Sequence, residues 1–266
     1  MTADKKTLQT LKRYAQVFRE ARVRDANESE TVMLLTEFFK EVLEFDPLKG
    51  EVSKEVAIKD RYCDIALKLD GEIELLIEAK AVGHKVLSQK HIEQAENYAS
   101  RSGITWVALT NGIQWQLYHI SFAEGEGITS DLAFDVSLEE KSLEEFWSKV
   151  SMLTKKSVRN EELESFWGQK KALKPSVIVK ALFSQEVLAV LRRELNRQAT
   201  ARLDLDDVFD SVKVVVSKDA LLEAGDIAMS KKKRKKRKSK VAQSEGNQNE
   251  TSNKADDVQT GNKDAA

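Results

Sequence analysis

The sequence predicts an α/β sandwich, a mixed β-sheet flanked by helices, followed by a small helical subdomain and a disordered tail. Three observations carry this. The dipeptides Asp70-Gly71 and Asn111-Gly112, which favour tight hairpin turns, each sit between runs of alternating apolar and polar residues. Capped stretches with apolar residues at helical spacing precede the first hairpin and separate it from the second. From Met229 onward the composition no longer supports a core. Residues 1–130 are therefore expected to form the α/β domain, 131–228 a helical accessory region and 229–266 the tail.

Residues 7–24 read as a helix whose Lys12, Arg13, Arg19, Arg22 and Arg24 either meet phosphate or are solvated. Asn27-Glu28-Ser29-Glu30 has a capping-box pattern, and Val32, Leu35, Phe39 and Val42 continue it as a helix to about residue 44. At roughly 100° per residue, Glu28 lines up with Val32, Leu35 and Phe39, whereas Glu30 falls on the opposite side. Glu28 is then either an acid aimed inward or a first-turn carboxylate favoured by the helix dipole.

In the first hairpin, a bare two-residue turn at Asp70-Gly71 would mix apolar and charged side chains on both faces. A register one residue longer pairs Ile65 with Ile77, Leu67 with Leu75 and Leu69 with Ile73, making one face wholly apolar. The other face then sets Lys68 against Glu74 and Asp64 against Glu78, with Lys80 two residues on. A three-residue loop, or a tight turn followed by a bulge, gives this offset.

Ser88 can cap a helix over about residues 89–101, with Gln94, Tyr98 and His91 bordering its apolar stripe. These polar groups either bond a phosphate or the Lys80 neighbourhood, or form an ordinary polar border. A two-residue turn at Asn111-Gly112 groups Trp106, Ala108, Thr110, Ile113, Trp115 and Leu117 on one face of the second hairpin. Beyond residue 130 the reading is of short helices: Ser142 caps one carrying Phe146, Trp147 and Val150, Pro175 suits a first turn, Ser184 caps another, and 203–216 is helical.

Like charges directly opposite on a sheet are destabilising, and a bound cation would relieve them. Two carboxylates with water are the hard oxygen ligands of Mg²⁺ or Mn²⁺, and Lys80 could orient a water or neutralise charge on a phosphate. The bland alternative is a charged surface face.

The order Glu28, Asp64, Glu78-x-Lys80, Gln94-x-x-x-Tyr98 resembles the PD-(D/E)xK nuclease superfamily, in particular the N-terminal nuclease domain of type I restriction enzyme R subunits. Asn27-Glu28-x-x-Thr31, Tyr62-x-Asp64-Ile65-Ala66-Leu67 and Leu109-Thr110-Asn111-Gly112 before Trp115-Gln116-Leu117-Tyr118 are similar as well, so the resemblance spans about residues 25–120. It implies a restriction-endonuclease-like sandwich in which Asp64, Glu78 and Glu28 bind the metal, Lys80 serves the attacking water, and Gln94 and Tyr98 support the site. Cys63 stands where the superfamily name has proline. The sequence contains no Gly-x-x-x-x-Gly-Lys-Ser/Thr loop, so neither an ATP site nor a built-in motor is expected.

Lys231 to Lys240 holds nine basic residues in ten, and either grips nucleic-acid backbone, serves as a nuclear signal or is a solvated block. The chain carries 43 Lys and Arg against 44 Asp and Glu; without that run the balance is 34 against 44, a net charge of −10. A body this acidic needs a local basic groove to hold DNA, for which Lys85 and Lys90 beside Lys80 are candidates. The single cysteine, Cys63, excludes an intramolecular disulfide and suits a reducing cytoplasm; alternation puts it on the apolar face with Ile65. There is no signal-peptide pattern and no run long enough to span a bilayer. The leading expectation is a Mg²⁺- or Mn²⁺-dependent deoxyribonuclease, a restriction-modification endonuclease acting on DNA alone or with other restriction or defence subunits. The alternative is an inactive nuclease-fold module that binds DNA or docks a partner protein.

Overall fold

A computed structural model describes residues 2–58, 61–84, 102–123, 127–139, 142–199 and 202–228, with Leu87, His91, Glu93, Glu96 and Ala99; side chains are described from Cys63 onward in the second strand and up to Lys54 in the first. Two helices open the fold. Helix α1 (Lys5–Val23) is capped by Asp4, whose side chain accepts from Thr7 N at 2.6 Å. The expected capping box forms at the start of α2 (Glu28–Glu41): Asn27 Oδ1 accepts from Glu30 N, and Glu30 Oε2 accepts from Asn27 N. The basic face of α1 is largely engaged in ion pairs, Arg13 with Glu41 and both Arg19 and Arg22 with Glu139.

Six strands follow in one sheet, in the order β1 (Val52–Ile58), β2 (Arg61–Leu69), β3 (Glu72–Ala79), β4 (Trp106–Thr110), β5 (Gln114–Ala123) and β6 (Gly127–Ser137). Neighbours are antiparallel except β3 and β4, which are parallel and therefore need a crossover between residues 79 and 106. The helix expected over 89–101 lies mostly outside the described residues; of its positions, Ala99 is buried against the sheet. Strands β1 and β6 add to the two hairpins anticipated from the sequence, and the boundary expected at residue 130 falls inside β6.

The first hairpin adopts the offset that buries one face, by the second of the two routes. Asp70 (φ 49°) and Gly71 (φ 94°) form a tight left-handed turn, and a bulge between Leu67 and Lys68 restores the pairing of Leu67 with Leu75 and Ile65 with Ile77. Nearer the turn the pairing differs from expectation: Lys68 faces Ile73 and Leu69 faces Glu72. The second hairpin slips by two residues, Thr110 facing Trp115, because the Asn111 carboxamide oxygen accepts from both Ile113 N and Gln114 N and widens the loop. A shift of two preserves side-chain alternation, so Trp106, Ala108, Ile113, Trp115 and Leu117 still share the main core. Gly112 (φ 86°) is required here, since a Cβ would lie 2.3 Å from the Phe18 ring.

That core fills the space between one sheet face, α1, α2 and α3 (Leu143–Val150), around Phe18, Phe38, Phe39, Trp115 and Phe146. Cys63, Ala66, Leu76, Val107, Leu109 and Ile120 form a smaller cluster on the other side. Cys63 thus departs from its expected place beside Ile65; its Sγ donates to the carbonyls of Ile65 and Ile77, and burial pushes the thiol up to about 12.

After β6 come α4 (Lys155–Arg159), α5 (Glu162–Ala172), α6 (Pro175–Leu182), α7 (Gln185–Gln198), α8 (Leu205–Val215) and α9 (Lys218–Ala224). Trp147, Leu163 and Trp167 join the main core, so the first helices after β6 pack with the sheet and not in the separate helical subdomain expected. Lys170 on α5 donates to the carbonyls of Leu132 and Ala133, on the outermost strand β6. Residues 1–227 make one compact unit. The tail expected over 229–266, including the Lys231–Lys240 run, lies outside the described residues.

Candidate functional site

Strand β3 ends by carrying Glu78, Ala79 and Lys80 past the last pairs of β2. Beyond Ile65 and Ile77 the next residues along the two strands are Asp64 and Glu78, close enough for the Asp64 charge to act on the Glu78 carboxyl. The Ala79 N–H donates to Asp64 Oδ2 at 2.8 Å, tying the two strand ends together through the acid. Lys80 N donates to the Thr110 carbonyl at 2.8 Å, which holds the lysine backbone against β4.

Glu78 is only 4% exposed. Its Oε1 accepts from Lys80 Nζ at 2.6 Å, whereas its Oε2 is buried with no hydrogen-bond partner among the described residues. Burial and then the Asp64 charge push this carboxyl up to about 7, outweighing the Lys80 hydrogen bond. Burial also opposes the charge of Lys80, but Glu78, Glu28 and Asp64 together hold its pKa above the ordinary lysine value. Glu28, half exposed at the first turn of α2, reaches Lys80 Nζ at 3.8 Å.

Of the residues singled out in the sequence, Asp64, Glu78, Lys80 and Glu28 come together. His91 lies beside them: its ring meets that of His84 edge to face at 4.8 Å, and burial, His84 and Lys80 lower its pKa. Gln94, Tyr98, Lys85 and Lys90 lie outside the described residues.

Three residues given no role in the sequence reading hold this region. Thr31 Oγ1, one turn after Glu28, accepts from Val82 N at 3.1 Å and donates to Asn27 O. Asn111 Nδ2 donates to the His84 carbonyl at 2.8 Å. Gln116, buried and in register with Leu109 next to Glu78, donates to Asp135 and accepts from Tyr118 OH. Thr31, Asn111 and Gln116 all stand in the strings quoted for the family resemblance, which was the available signal.

Among the described residues no group of three or more His, Cys, Asp or Glu is arranged to hold an ion. Mg²⁺ requires less from a protein, commonly one or two carboxylates with water and substrate phosphate. Asp64 and Glu78, with one buried carboxylate oxygen unpartnered, fit that smaller donor set.

A mixed sheet flanked by helices, with Asp64, Glu78 and Lys80 together at its strand ends, defines an α/β sandwich domain. Residues 35–130 match the family model of the type I restriction enzyme R protein N terminus, a match to under half of the chain, running from within α2 to the first residues of β6. No curated protein and no solved structure matches the chain.

Proposed function

We propose that the domain hydrolyses DNA phosphodiester bonds in a restriction-type role, with Asp64 and Glu78 as ligands of a Mg²⁺ or Mn²⁺ ion. The observation that carries this reading is the buried, unpartnered Glu78 Oε2 beside Asp64, with Lys80 hydrogen-bonded to the other oxygen. A bound divalent cation would supply a polarised phosphate oxygen and a water of lowered pKa. Lys80, kept protonated by its acidic neighbours, orients the attacking water or neutralises charge gathering on the phosphate. Glu28 holds Lys80 from the solvent side. Asp64 fixes the exit of β3 through Ala79 N, so the same carboxylate sets the site's geometry and its charge.

The test is incubation of purified protein with linear, circular and single-stranded DNA in Mg²⁺ or Mn²⁺, beside Asp64→Ala and Lys80→Ala. We expect each substitution to reduce cleavage at least about 100-fold, the scale of losing one preorganised charge-stabilising group. Cleavage by the wild type no greater than by the variants would sink the enzyme reading. A second reading, a nuclease-fold module without catalysis, is favoured by the net charge of −10 outside the basic run, which opposes close approach of DNA. It predicts DNA or partner binding that survives both substitutions with no cleavage.

A further inference from the structure

Helices α6 to α9 have a small core of their own. Their buried hydrophobic residues are Val179, Phe183, Leu188, Val208, Phe209 and Ala224, with the Phe183 and Phe209 rings 5.0 Å apart. Among the described residues none of the six belongs to either sheet-bound cluster. Helix α9 packs on α6 and α8 on α7, so the four helices form a satellite to the sheet.

Large apolar side chains are exposed over the same helices. On α6 these are Val177, Ile178 and Leu182, at positions i, i+1 and i+5, and on α7 Val187, Val190 and Leu191, at positions i, i+3 and i+4. That spacing gathers them into stripes. Val190 is 59% exposed, Val214 and Val215 of α8 are 86% exposed, and Leu222 of α9 is 79% exposed. Scattered single apolar residues are normal on a surface; contiguous stripes of this extent mark an interaction site.

Charge points to the occupant. Residues 173–202 carry six basic and two acidic side chains, whereas 203–228 carry seven acidic and two basic. The exposed apolar side chains of α6 and α7 thus lie in a basic segment, and those of α8 and α9 in an acidic one. A two-fold axis that sets the basic segment of one copy on the acidic segment of another satisfies both at once. We propose that α6 to α9 form the interface of an isologous homodimer, a second copy of this chain covering the stripes. This is independent of the chemistry assigned to Asp64, Glu78 and Lys80.

Sedimentation equilibrium of the full chain, up to roughly 100 µM so that even micromolar affinity is populated, reads the oligomeric state. The expected result is a dimer. Val190→Glu, at an exposed position where the helix can be checked by circular dichroism, should weaken dimerisation at least about tenfold, since it places an unpaired charge in the apolar interface. A charge-reversed pair tests the complement directly. Arg193→Glu with Arg197→Glu, and separately Asp206→Lys with Asp210→Lys, should each weaken self-association, and mixing the two proteins should restore a dimer of one copy of each. A monomer at every concentration would overturn the proposal, as would a dimer indifferent to Val190→Glu or reversed variants that fail to rescue one another.

Discussion

Lys80 Nζ lies 2.6 Å from one carboxylate oxygen of Glu78, while the other oxygen of Glu78 is buried with no hydrogen-bond partner among the described residues. An acid satisfied on one side only is poised between two states. It can take up a proton, or it can wait for a cation.

The first state makes the metal-free protein pH-sensitive in an unusual direction. The folded-state carboxyl titrates at about 7 against an ordinary value of 4.5, so between these the native state holds more protons than the unfolded chain. Its contribution is complete below the ordinary value and is lost as pH rises through about 7, to the extent of about 3 kcal/mol. Thermal melts in a chelating buffer should show stability falling from pH 5 to pH 8, and Glu78→Gln should flatten that slope. A wild-type slope matched by the Gln variant would remove Glu78 as its source.

The second state predicts stabilisation by metal without any reference to cleavage. At pH 8, Mg²⁺ or Mn²⁺ at 100 times its dissociation constant should raise unfolding free energy by about 2.7 kcal/mol. Asp64→Ala should abolish most of that gain. Equal shifts in the two proteins would mean that the ion binds elsewhere.

Thr31 is expected to matter more than its place on a helix suggests. Replacing it with Val keeps the shape but leaves the Val82 N–H without its acceptor, a loss of about 1–3 kcal/mol for a buried donor. Chemical denaturation should register this for Thr31→Val and little of it for Thr31→Ser. If the domain is a nuclease, cleavage should follow the same order, because Thr31 and Glu28 dock one helical turn onto the segment that carries Lys80.

Deleting residues 229–266 separates the basic run from the acidic body. Should that run grip nucleic-acid backbone, the truncated protein will bind DNA more weakly and with a flatter dependence on salt, by roughly 0.9 in the logarithmic slope for each phosphate it no longer neutralises. Filter binding across a salt series measures it. An unchanged slope would assign the grip to the folded part.

The register that brings Asp64 and Glu78 to neighbouring strand ends was legible because burial leaves little choice: Ile65, Leu67, Leu75 and Ile77 must share a face. Where the extra residue goes was not legible, since a longer loop and a bulge satisfy the same alternation. Strand β6 escaped because its first half is exposed or half-buried, so Gly127 to Leu132 carry no alternating pattern to read. Cys63 departs from the alternation that placed it with Ile65, packing with Ala66 and Leu76 instead, and nothing in the pairing of β2 with β1 explains it. Helix phase aligns Glu28 with the buried Leu35 and Phe39, yet its side chain stays half exposed, and its approach to Lys80 depends on how α2 packs on the sheet, which phase alone does not contain.

The ammonium of Lys170 rests on two carbonyls of β6, the strand at one end of the sheet. An unguarded outer strand is a template on which another chain can continue the ladder, the first step toward domain swapping and fibre growth. An incoming strand would have to displace a charged group from its own hydrogen-bond acceptors. Larger assemblies of this protein are thereby steered away from cross-β stacking along that side.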